Sequence, residues 1–159
     1  MLGDIEVAAG RIFAEIGMVD VAEDEPLSAE TLGEYQSAGR AWVATDSEDT
    51  PIAYILVDIL DGNAHIEQVS VHPDCSHRRI GRALLDHVAA WARAHELDAL
   101  TMTTFAHVLW NAPYYARCGF TTVAPDEWGP RMRHIRAAEA ARGLDRYERV
   151  VMRRDVGIT

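Results

Sequence analysis

The chain has 159 residues, 48% of them hydrophobic, with 25 acidic against 15 basic side chains and a formal net charge of −10. That length suits one domain with a real core, the apolar fraction excludes a disordered chain, and the acidic balance argues against non-specific nucleic-acid binding. No apolar run approaches the ~20 residues of a membrane span, Asp4 and Glu6 stand where a signal peptide needs positive charge, and Cys75 and Cys118 form neither a zinc spacing nor a disulfide framework; a cytoplasmic protein without a metal is the expectation.

Ile5, Ala8, Ala9, Ile12, Phe13 and Ile16 recur at helical spacing, and Gly17 follows as a stop. Asp20 to Pro26 is an acidic connector. Ser28 can cap a second helix with Gly39 just past its end, Leu32 and Tyr35 on its buried side. Strand patterns follow over Ala41–Thr45, Ile52–Leu60 and Ala64–Val71, the last two joined by Asp61-Gly62-Asn63, a strong hairpin signal. Three strands linked by short turns imply an antiparallel meander.

The third strand runs through a short polar turn rich in arginine into a helix expected over Arg79–His95, with Ile80, Leu84, Val88, Trp91 and Ala92 as its apolar stripe. A strand that opens through such a turn presents unpaired backbone N–H groups at the helix start. The helix dipole adds partial positive charge, so the spot suits a phosphate. Arg78, Arg79 and Arg82 place cations there, which points to the pyrophosphate of a nucleotide-bearing cofactor. A solvated basic turn is the plainer alternative.

Leu97–Thr103 reads as a strand entered from that helix, hence a crossover and a parallel pair. Asn111–Cys118 is a short helix with Pro113 in its first turn, and Phe120–Ala124 another strand. Pro130 opens a helix bearing Met132, Ile135 and Ala138 and ending at Gly143, with Arg131, Arg133 and Arg136 on a charged face expected to be solvated, a lid or dimer element being the alternative. Tyr147–Met152 is the last strand. No repeat or linker interrupts the pattern, and the order predicts a mixed α/β layer on one sheet.

The segment V-S-V-H-P-D-C-S-H-R-R-I-G-R-A-L-L resembles the signature of the GNAT superfamily of acetyl-CoA-dependent N-acetyltransferases, and N-A-P-Y-Y-A-R-C-G-F resembles that family's Asn…Tyr-x-x-x-Gly-Phe segment. The resemblance covers nearly the whole chain. It implies one GNAT-like domain over residues 1–159: a mixed sheet with an antiparallel meander, then a crossover helix to a parallel strand, and helices on both faces. The family's first edge strand has no counterpart, because the chain begins at or inside the first helix. Arg79 replaces the first glycine of the family's G-x-G, and Ser76 replaces the Gln or Arg three residues before it. A side chain at position 79 resists conformations that glycine tolerates.

The resemblance also implies the chemistry. The backbone around Val69, Ser70 and Val71 is to bond the pantetheine and the thioester oxygen, holding the oxyanion. The phosphates fall to His77, Arg78, Arg79, Ile80, Gly81, Arg82 and Ala83. Tyr115 is to protonate the leaving thiolate, with Tyr114 its confounder, and Asn111 either bonds the pantetheine or caps its helix. For the base, Glu67 comes first and His65 second, both expected to alternate with Val69 on one strand face. The expected reaction moves an acetyl group from acetyl-CoA, a co-substrate, to a primary amine of a small molecule or peptide in a ternary complex, with no metal, nucleic acid or membrane. A homodimer fits the family. The alternative is a non-catalytic acyl-CoA-binding or regulatory module on the same fold.

Overall fold

In the computed structural model, which describes residues 2–18, 27–76 and 78–157, the chain opens in helix α1 (Leu2–Gly10) and tightens into a 3-10 segment over Arg11–Ile16. Gly17 stops it at φ +85°, its N–H and that of Met18 returning to the carbonyls of Ala14 and Phe13. The acidic connector lies outside the described residues. Ser28 then caps α2 (Ala29–Ser37) by accepting the Thr31 N–H at 3.1 Å.

The remaining elements are β1 (Ala41–Thr45), β2 (Pro51–Leu60), β3 (Asn63–Val71), α3 (Ile80–Ala94), β4 (Ala99–Phe105), α4 (Ala112–Arg117), β5 (Thr121–Val123), α5 (Pro130–Ala141) and β6 (Arg149–Asp155). The sheet runs β1-β2-β3-β4-β6-β5. β3 and β4 are parallel, pairing Ala64 with Leu100 and His65 with Thr101. The β1–β2, β4–β6 and β5–β6 pairs are antiparallel. This is the mixed sheet expected, with β1 at one end of the order.

Two strands differ by two residues or more from the sequence reading. β4 starts at Ala99 rather than Leu97, because α3 closes through Glu96 at φ +59° and the Leu97 N–H turns back to the Ala92 carbonyl. β6 runs on to Asp155 because every residue of β4 finds a partner, from Ala99 with Asp155 to Phe105 with Arg149. Pairing thus carries the polar Arg153, Arg154 and Asp155 into a strand that their side chains do not announce.

Packing divides the chain into two units, Met1–Val57 with Glu67–His87, and Asp58–Ile66 with Val88–Thr159. In the first, Ile5, Tyr54 and Leu56 form a core closed by Leu2, Leu27, Leu32, Tyr35 and Ala41. Every residue of β2 from Ala53 to Val57 is fully buried, so both faces of this strand are covered. In the second, Leu60, Met132 and Val151 pack with Val123, Trp128 and Ile135, which lays α5 on β6. Burying a side chain of this size contributes about 1.5–3 kcal/mol.

The β2–β3 turn serves both ends of this second core. Asp61 at φ +52° and Gly62 at φ +76° give the two left-handed residues of a type I′ hairpin. The Asp61 carboxylate also caps α5, accepting the N–H groups of Arg131 at 3.2 Å and Met132 at 3.0 Å. Gly129 before the helix has no side chain for that task, and a Cβ there would lie 2.5 Å from Asp61 Cγ. It is glycine for space, since its φ of −72° suits any residue.

Candidate functional site

The first unit contributes the strand-to-helix segment. Leu60 and Asn63 flank the two-residue turn, and at the far end the His72 N–H donates to the Ile52 carbonyl at 2.9 Å. β2 covers that interval in eight steps and β3 in nine, so β3 carries one unmatched residue, a β-bulge. His65 is buried, Glu67 exposed, Val69 half-buried and Ser70 buried. A bulge withdraws backbone groups from the ladder and leaves them to other partners.

Beyond Val71, a 3-10 turn over Pro73–Cys75 leads to α3. His77 lies outside the described residues. Arg78, Arg79, Arg82 and Ala83 are exposed, Ile80 is half-buried and Gly81 is buried. Arg79 sits at φ +60°, the left-handed region a glycine would occupy. Position 79 thus adopts a left-handed conformation with a side chain in place. The first i→i−4 bond of the helix runs from the Ala83 N–H to the Arg79 carbonyl at 3.0 Å. The N–H groups of Ile80, Gly81 and Arg82 precede it and have no acceptor within the helix. With exposed guanidinium groups beside them, they fit a phosphate.

The second unit holds Tyr115, the residue expected to act as the acid. Tyr115 lies buried on α4, its ring edge-on to Tyr114 and Phe120. Burial first, then Tyr114 and Cys118, pushes its phenol well above the ordinary value of 10.0. It keeps its proton across the neutral range. Asn111 does not cap the helix with its side chain; its Nδ2 donates instead to the Trp110 carbonyl at 3.1 Å.

His65 shares a 3.0 Å hydrogen bond between Nδ1 and Thr101 Oγ1. Burial lowers its pKa, opposed by the carboxylates of Asp58, Glu139 and Asp61. A neutral imidazole results. The unfolded chain, with an ordinary value of 6.5, takes up a proton that the folded chain refuses. Stability is therefore complete above about pH 6.5 and falls as pH drops below it. Melting temperatures against pH are expected to fall less steeply over that acid range in His65→Gln than in the wild type; equal slopes would remove His65 from the account.

A largely buried ionic cluster, its side chains 10–13% exposed, stands beside it, and sequence reading missed it. Glu139 Oε1 accepts from Arg136 Nη1 at 2.8 Å, and its Oε2 accepts from Thr103 Oγ1 at 2.6 Å and Arg149 Nη2 at 3.3 Å. The Arg149 guanidinium lies 4.5 Å from the Phe105 ring centroid. Arg131 and Arg133 are exposed as expected, but Arg136 turns inward. No local signal separates it from its solvated neighbours.

The model of the acetyltransferase (GNAT) family matches residues 11–120. The chain belongs to this family. Among solved structures, this GNAT chain resembles the N-acetylglutamate synthase of Neisseria gonorrhoeae in complex with coenzyme A and N-acetyl-glutamate (TM-score 0.70, 17% identity); the match covers 98% of this chain and 32% of the synthase, so the chain spans about a third of that protein. It also resembles the ribosomal-protein-S18-alanine N-acetyltransferase of Escherichia coli (TM-score 0.59, 17% identity, 86% and 82% of the two chains). A GNAT-family acetyltransferase of Staphylococcus aureus matches at TM-score 0.65 and 15% identity over 96% and 90% of the two chains. At these identities the likeness is one of fold. Among the described residues, no helix of this GNAT protein is long and apolar enough to cross a membrane, and no group of three His, Cys, Asp or Glu is placed to hold a metal ion.

Proposed function

We propose that this protein is an N-acetyltransferase that moves an acetyl group from acetyl-CoA to a primary amine by direct attack in a ternary complex. The observation that carries the reading is β3 followed, after the 3-10 turn of Pro73–Cys75, by an arginine-flanked helix N-terminus. Family membership supplies the donor and the reaction class. The backbone of β3 around Val69, Ser70 and Val71 holds the thioester oxygen and the pantetheine. The N–H groups at the start of α3, with Arg78, Arg79 and Arg82, bind the pyrophosphate, and Asn111 contributes from the turn before Tyr115. Tyr115 gives its proton to the departing thiolate, whose own basicity rises in the same buried surroundings. For the base, Glu67, exposed on β3, stands ahead of His65, which is held against Thr101.

The acceptor is an amine on a small molecule or a peptide. Two neighbours support that breadth, one seen with N-acetyl-glutamate and one named for the alanine of a ribosomal protein. Release of free thiol from acetyl-CoA across a panel of amino acids, polyamines and peptides tests the reading. At least one amine is expected to be acetylated, and failure to bind coenzyme A by calorimetry would sink it.

Arg79→Gly separates backbone from side chain in the cradle. Holding a non-glycine residue at positive φ costs about 1–2 kcal/mol, while a glycine gives back about 0.4–1 kcal/mol through the unfolded state. The variant is expected to unfold at a slightly higher urea concentration, by about 1 kcal/mol or less. It is expected at the same time to bind coenzyme A severalfold more weakly. Tighter binding would mean that the guanidinium takes no part.

A further inference from the structure

In the first unit, the link between β3 and α3 is tied down at His72. Its N–H donates to the Ile52 carbonyl at 2.9 Å, and its carbonyl accepts the Cys75 N–H at 2.8 Å. The Ser76 N–H closes the same turn on the Pro73 carbonyl at 3.1 Å. The His72 side chain completes the arrangement. Its Nδ1 accepts the Asp74 N–H at 3.2 Å and so caps the 3-10 turn of Pro73–Cys75.

The direction of that bond fixes the chemistry of the ring. A backbone N–H can only donate, so Nδ1 carries a free lone pair and the neutral ring holds its hydrogen on Nε2. A proton added to Nδ1 sets two donors against each other across 3.2 Å. The same nitrogen lies 3.7 Å from Asp74 Oδ2, so an imidazolium exchanges the backbone N–H for a carboxylate. Asn, Ser and Thr, among the usual capping residues, do not titrate, whereas a histidine changes charge between about pH 5 and 8. The other titratable or charged groups on the segments joined here are Asp74 and Cys75 of the turn, and Asp46, Glu48 and Asp49 ahead of Ile52. Arg78, Arg79 and Arg82 stand at the start of α3, and His77 precedes them in the sequence.

We propose that His72 is a titrating cap: its neutral imidazole holds the Pro73–Cys75 turn in the form that binds coenzyme A, and its protonation releases the turn and weakens that binding. The proposal rests on the acetyltransferase reading of the arginine-flanked cradle and adds its control by pH. From this turn the chain passes to Arg78 and the N–H groups at the start of α3. A released turn must be ordered again when those groups close on a phosphate, and that ordering lowers affinity. A cation acting on the phosphates by charge alone would have the opposite sign, raising affinity as pH falls.

The experiment measures coenzyme A affinity by calorimetry for the wild type, His72→Asn and His72→Ala at about pH 8 and about pH 5.5, either side of the range in which histidine titrates. Asparagine keeps a capping oxygen and cannot take up the proton. At the higher pH, His72→Asn is expected to bind as the wild type does, and His72→Ala severalfold more weakly. On acidification the wild type is expected to lose severalfold more affinity than His72→Asn. Protonation of coenzyme A itself and of His77 is common to both proteins and cancels in that ratio. Equal losses in the two proteins, or a wild type that gains on His72→Asn, overturn the switch and leave the acetyltransferase reading standing. Nitrogen-15 spectra of the imidazole rings give a readout that needs no ligand. The His72 signal, assigned by its loss in His72→Asn, is expected to show the Nε2–H form at the higher pH, and an Nδ1–H form overturns the cap. Absence of coenzyme A binding by the wild type at both pH values overturns the switch and the acetyltransferase reading together.

Discussion

Tyr115→Phe is expected to lower kcat by a hundredfold or more while coenzyme A binds as before. The substitution removes one oxygen from a ring that packs against Tyr114 and Phe120, so the helix and its surroundings are kept. General acid catalysis by a positioned side chain contributes about 10²–10⁴ in rate, and the phenol is suited to it by holding its proton throughout the neutral range. Burial is the main cause of that retention. The loss should fall on kcat, because thiolate departure follows binding. Turnover by stopped-flow thiol detection and affinity by calorimetry read the two quantities separately. Unchanged kcat would transfer the role to another donor. Loss of coenzyme A affinity without loss of kcat would recast Tyr115 as a binding residue.

Glu139→Gln is expected to cost about 3–5 kcal/mol of stability, the range for breaking a buried ion pair from one side. The side chains of Glu139, Arg136 and Arg149 are only 13%, 12% and 10% exposed. Solvent screens such a cluster little, and the substitution removes the negative charge that both guanidinium groups face. At about 2–4 °C per kcal/mol for a chain of this size, the melting temperature should drop on the order of 10 °C. Thr103→Val, which removes one neutral partner of the same carboxylate, should cost about 1 kcal/mol. The ordering matters more than either value. If Glu139→Gln costs no more than Thr103→Val, the cluster is not an interior ionic network and α5 is held to β4 and β6 mainly by Met132 and Ile135.

Much of this architecture was legible in the chain. The β-branched and aromatic run of β2, the Asp61-Gly62 turn, the apolar stripe of α3 and the caps at Ser28 and Gly143 all act within a few residues, and local geometry enforces them. The phosphate cradle and the acid role of Tyr115 are proposed from motifs that are likewise contiguous in the chain. Arg79 illustrates the boundary. Its departure from glycine is visible in the sequence, yet the left-handed φ of +60° is visible only in the fold.

The rest depends on residues far apart in the chain. The β3 bulge is a mismatch of length between two strands, and no pattern within β3 records it. Asp61 caps a helix 70 residues away, and Gly129 must lack a Cβ only because that carboxylate is already there. Arg136 and Glu139 read as ordinary polar residues on a helix face, and they become a buried cluster when Thr103 and Arg149 arrive from other strands. Glu6, which looked like an acidic residue near the chain start, acquires a partner in Tyr54 across 48 positions of sequence. Periodicity and capping belong to neighbours along the chain and can be read there. Charge pairing, long-range hydrogen bonds and strand register belong to neighbours in space, and folding is what brings them together.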